Sequence, residues 1–173
     1  LSLLNSFCMR KDEHSHEVGL NFGLTSAVVT TLGLIVGLNA STSSKTVVLG
    51  GILVIAIADA FSDALGIHMS EESEGVHTAK EIWISTISTF LSKFFFALTF
   101  AIPILFVPSM LSLENAIIID IIWGFVLLAA FSYRIAVRTK ENPLLVVLEH
   151  LLVALIVVIL TYYTGNLIRS YFG

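Results

Sequence analysis

Five long apolar runs divide this sequence, at roughly 19–39, 45–69, 82–106, 114–137 and 144–168. A helix that crosses a bilayer needs about 20 predominantly apolar residues, and each run meets that length. The polar stretches between them are short: 40–44, 70–81, 107–113 and 138–143. The pattern predicts an all-α fold, a polytopic membrane protein of five transmembrane helices. Residues 18–170 form a single transmembrane domain and 1–17 a polar segment lying along the membrane surface. The punctuation fits that reading. Nothing breaks the second helix before Gly75, so it is expected to continue through Glu74. Pro103 is expected to kink or end the third helix. Asn142 followed by Pro143 reads as an N-cap and first helical position for the fifth.

Composition narrows the class. Mean hydropathy is +0.93 and only 13% of residues are charged, which no water-soluble domain of this size matches. The single cysteine, Cys8, rules out an internal disulfide. Basic residues are too few and scattered for a nucleic-acid footprint. Their distribution does orient the chain. Arg10, Lys11, Lys80, Arg134, Arg138 and Lys140 fall on one side of the membrane, and Lys45 and Arg169 on the other. The positive-inside rule then puts the N-terminus in the cytoplasm and the C-terminus outside or in a lumen. An integral membrane location follows, without distinguishing the plasma membrane from an internal or vacuolar one.

The chemistry concentrates in the second run. Asp59 and Asp63 are four residues apart and share one helix face. Ala58, Ala60, Ser62, Ala64 and Gly66 around them would let another backbone come close. Each aspartate at membrane depth costs about 2.5–3.5 kcal/mol on insertion scales, so the pair calls for water, protons or a cation. Carboxylate oxygens suit hard or borderline divalent ions, and protons would compete for the same oxygens. Glu71, Glu72 and Glu74 would form a cytoplasmic collecting vestibule for metal. Lys93 lies too deep in the third run to snorkel easily and is expected to pair with Asp59 or Asp63.

Enzyme chemistry is not expected: both aspartates sit on one helix, no Gly-x-Gly-Asp motif occurs, and no nucleophile–base pair or zinc helix appears. The alternative to transport is a membrane protein whose acidic face serves helix packing or subunit assembly. The tract Glu13, His14, His16 and Glu17 carries side chains that could bind a cation, and Asp120 reads as a first-turn helix residue. Glu149 and His150 are adjacent and must point in different directions. The small-xxx-small patterns Gly19–Gly23 and Gly33–Gly37 predict close packing, within the protomer or against a second copy.

Gly19-Leu20-Asn21-Phe22-Gly23-Leu24 in the first run, Ala60-Phe61-Ser62-Asp63-Ala64-Leu65-Gly66 leading to Ser70 in the second, and Tyr163-Thr164-Gly165-Asn166-Leu167-Ile168 in the fifth resemble the vacuolar iron transporter family. The resemblance implies a homodimeric, proton-coupled exporter of Fe2+ or Mn2+ from the cytosol, with membrane lipid, divalent cations and protons as its partners and no resident cofactor. The path would run between protomers, with Asn21, Gly23, Ser62, Gly66 and Lys93 lining or packing it. The chain departs from the family in carrying Phe22 where many members have aspartate, Asp63 where they have methionine and Ile67 where they have glutamate. It also lacks the long cytoplasmic insertion between spans two and three.

Overall fold

The computed structural model describes residues 2–107 and 109–172, with side chains from residue 11 onward; the side chains of Cys8 and Arg10 lie outside the described residues. The described chain is helical throughout: α1 (Ser2–Thr42), α2 (Lys45–Glu74), α3 (Ala79–Thr99), α4 (Ala101–Leu105), α5 (Leu113–Thr139) and α6 (Pro143–Phe172). Five segments are long and apolar enough to cross a membrane, α3 and α4 together supplying one of them. Their outer faces expose large apolar side chains such as Val54, Phe61, Leu65 and Met69 on α2. That surface suits a hydrocarbon solvent and would drive aggregation in water.

The helix ends follow local chemistry. Gly75 ends α2 with φ +66°, a left-handed residue of the kind that commonly stops helices. Thr78 and Glu81 form a reciprocal capping box at the start of α3: Glu81 N donates to Thr78 Oγ1 (3.3 Å), and Thr78 N donates to Glu81 Oε2 (2.7 Å). Ser112 caps α5 by accepting from Asn115 N. Asn142 caps α6 by accepting from Leu144 N at 3.0 Å, with Pro143 as the first helical residue. The Pro103 ring clashes one turn back and removes a donor, and the third span breaks at Phe100 between α3 and α4. Residues 2–17 are the first turns of α1, because neither proline nor glycine interrupts the chain there.

The chain forms two compact units, one of residues 1–27 and 55–96, the other of 28–54 and 97–173. In the first, α1 packs on α3 through Gly19 and Gly23. A Cβ at Gly19 would lie 2.2 Å from the Ser85 carbonyl oxygen, and one at Gly23 would lie 2.0 Å from Ser92 Oγ. Phe61 and Phe90 add a tilted ring pair at 4.7 Å. In the second unit, Gly165 meets Gly37 and Ala40, and Gly33 meets Val157 and Thr161. Both small-residue patterns of the first span are therefore consumed inside the chain.

Candidate functional site in the first unit

Asp59 and Asp63 lie near the middle of α2, and Lys93 lies far along α3. The short 75–78 turn folds α2 and α3 into a hairpin and brings the three level. Lys93 Nζ donates to Asp63 Oδ2 and to Ser26 Oγ of α1, the latter at 2.7 Å. Asp59 Oδ2 lies 2.5 Å from the same ammonium. That contact is an ion pair without hydrogen-bond geometry, and the oxygen has no other partner. The expected pairing of Lys93 is thus present with both aspartates. The lysine is 1% exposed, whereas the Asp59 and Asp63 side chains keep 26% and 18% of their surface open. Two carboxylates and one ammonium leave one negative charge in excess when all are ionised. The arrangement can hold a cation, exchange one cation for another, or fix three helices to each other.

A line of hydroxyls that the apolar pattern does not mark runs along α3 beside this cluster. Ser85, Thr86, Ser88, Thr89 and Ser92 are all buried. Ser85 donates to Glu71 and Thr86 pairs with His68 Nδ1 at 3.0 Å. Ser88 pairs with His16 Nδ1 at 2.6 Å, and Ser92 donates to the Gly19 carbonyl at 3.4 Å. The signal was legible in principle: hydroxyls recur three and four residues apart through the third span, which puts them on one face.

The other predicted residues separate. Glu71 is buried against Ser85, Glu74 pairs with His77 at 3.1 Å, and Glu72 is exposed. The N-terminal tract is likewise spread over different partners. His16 turns to Ser88, and His14 lines a pocket with Lys11, Ser15, Val76, His77 and Glu81. Among the described residues no three His, Cys, Asp or Glu side chains gather in a way that could hold a metal ion. Of the proposed path-lining residues, Gly23 is buried against α3, Asn21 is half-buried, and Ser62 and Gly66 are exposed, with open space around Gly66.

Asp120 departs from its expected place. Glu114 occupies the first turn of α5; Asp120 is in the next turn, fully buried, with neither carboxylate oxygen hydrogen-bonded. His150 faces Ser132 at 2.7 Å while Glu149 is exposed, so that adjacent pair does diverge.

No family model, no curated protein and no solved structure matches this chain.

Proposed function

We propose that the chain is a proton-coupled transporter of divalent metal ions, of the Fe2+ or Mn2+ class, related to the vacuolar iron transporters and oriented with its N-terminus in the cytoplasm. The observation that carries this reading is the cluster of Asp59, Asp63, Lys93 and Ser26 inside apolar helices. Ionisable residues within membrane spans are costly to insert and mark ion pathways and proton relays. Here the ammonium stands where a cation would sit between two carboxylates. A divalent ion taking those oxygens deprives Lys93 of its counter-charges. Metal ligands bind in their deprotonated form, so a divalent ion entering these carboxylate oxygens competes with protons for them, and metal entry and proton exit are coupled through one site. The hydroxyl line on α3 supplies oxygen partners for a partly hydrated ion.

A second reading has its own support. Lys93 already donates to Asp63 and Ser26 and pairs by charge with Asp59, so the cluster can serve as a clamp that fixes helix packing without moving anything. The two separate by experiment. Protein reconstituted in vesicles with an internal pH indicator is expected to take up Mn2+ with opposite proton movement, and the doubly substituted Asp59→Asn/Asp63→Asn protein to lose both. Uptake unchanged in the double variant, or absent in the wild type along with any metal-dependent rise in melting temperature, favours the clamp.

A further inference from the structure

We propose that Asp120 is a second, independent proton-binding site, a carboxylic acid that carries its proton at neutral pH inside the unit of residues 28–54 and 97–173. Its side chain is completely buried and both oxygens lack hydrogen-bond partners. Its neighbours on the same helical stripe are Ala116, Ile117 and Gly124, and Gly124 is pressed against Leu32 of α1. A lone carboxylate in such a place is not sustained as an ion; it takes a proton instead.

Among the described residues, no charged group on the elements packed in this unit is paired with Asp120. The stretch 28–42 of α1 and all of α4 carry no titratable side chain. The nearby part of α2 brings only Lys45, which donates to the carbonyls of Leu105 and Val107. On α6, His150 is engaged with Ser132 and Arg169 with Ser43, while Glu149 is exposed. Tyr162 and Tyr163 line, with Glu114 and Ile117 of α5 and Asn39 of α1, a cavity of about 450 Å³ whose lining does not include Asp120. Within α5, Tyr133, Arg134 and Arg138 lie toward the far end of the helix and are exposed. Asp120 contrasts with Asp59 and Asp63, which share Lys93, and it does not depend on the transport reading.

Infrared spectroscopy of the full chain in lipid vesicles reads the protonation state directly. The chain has four aspartates, Asp12, Asp59, Asp63 and Asp120. Three of them meet a lysine, Asp12 through Lys80 and the other two through Lys93. With 13C-labelled aspartate, the wild-type protein at neutral pH is expected to show one isotope-shifted carboxylic-acid carbonyl stretch. That band is expected to vanish in Asp120→Asn and to remain in Asp63→Asn. Should Asp120→Asn not fold, raising the pH of the wild-type protein is expected to convert the same band into carboxylate bands in a single step. A spectrum with carboxylate bands only at neutral pH overturns the proposal, and so does an acid band that survives Asp120→Asn or disappears in Asp63→Asn.

Discussion

The two units of this chain treat their buried carboxylates differently. In the unit of residues 1–27 and 55–96, ionisable groups are given partners. Asp59 and Asp63 meet Lys93, Glu71 meets Ser85, His68 meets Thr86, and even the glycine seam between α1 and α3 is lined by serine and threonine. In the unit of residues 28–54 and 97–173, glycines press against Val157, Leu32 and Ala40, and the one deeply buried carboxylate is left without a partner. A seam rich in polar side chains offers partners to the charges it buries. A dry seam holds by van der Waals contact and offers a buried carboxyl group no partner. The charged cluster therefore makes the first unit the place to look for ion chemistry.

The largest effect is expected from removing the shared cation. Lys93→Met leaves Asp59 and Asp63 facing each other one turn apart with no counter-charge. Breaking a buried pair by deleting one partner costs about 3–5 kcal/mol. Because the aspartates are partly open, the lower end of that range is expected, read as the shift in the unfolding midpoint during a denaturing-detergent titration. Adding Asp63→Asn to Lys93→Met is expected to recover part of the loss. A double variant no more stable than Lys93→Met alone would mean that charge repulsion is not what the lysine relieves.

Next in size is the seam itself. A methyl group at Gly23 collides with Ser92 Oγ and the Thr89 carbonyl oxygen, whereas one at Gly66 meets nothing within 4 Å. Overpacking typically costs about 1–3 kcal/mol. Gly23→Ala is expected to fall in that range and Gly66→Ala to be nearly silent in the same titration. The reverse order would show that the α1–α3 contact is not the one that holds the unit together.

Much of this was legible in the sequence, for physical reasons that differ by element. The spans were readable because bilayer thickness imposes a length. The ends at Gly75 and Asn142-Pro143 were readable because those residues have few other uses. The Asp59–Asp63–Lys93 grouping was readable because a charge in an apolar run must find a partner, and the short turn between spans two and three limits the choice. What could not be read was direction. Gly19 and Gly23 announce close packing but not against what, and the answer, a serine-lined face of α3, depends on three-dimensional register. The same holds for Glu71, whose neighbours Glu72 and Glu74 looked equivalent to it. Only the rotation of α2 buries one and exposes the others. Asp120 was placed one turn too early: it is the eighth residue of α5, in the second turn, and its complete burial depends on how α5 is rotated against its neighbours, which the apolar run does not reveal.

The finest test compares one hydroxyl from each unit. Ser85 donates to the buried carboxylate of Glu71, and Ser132 pairs with His150. Both serines are themselves buried, so truncation to alanine removes the same atom from equally enclosed sites. The partners left behind differ. A carboxylate bond contributes about 1.5–3 kcal/mol, and its loss strands a charged group. Interhelical hydrogen bonds measured in a membrane bundle average only about 0.6 kcal/mol. Ser85→Ala is therefore expected to lower the unfolding midpoint several-fold more than Ser132→Ala. Glu71→Gln should soften the Ser85 effect, because a neutral amide loses less when its partner is removed. Equal penalties for the two serines, unaffected by Glu71→Gln, would mean that the first unit is no more electrostatic than the second.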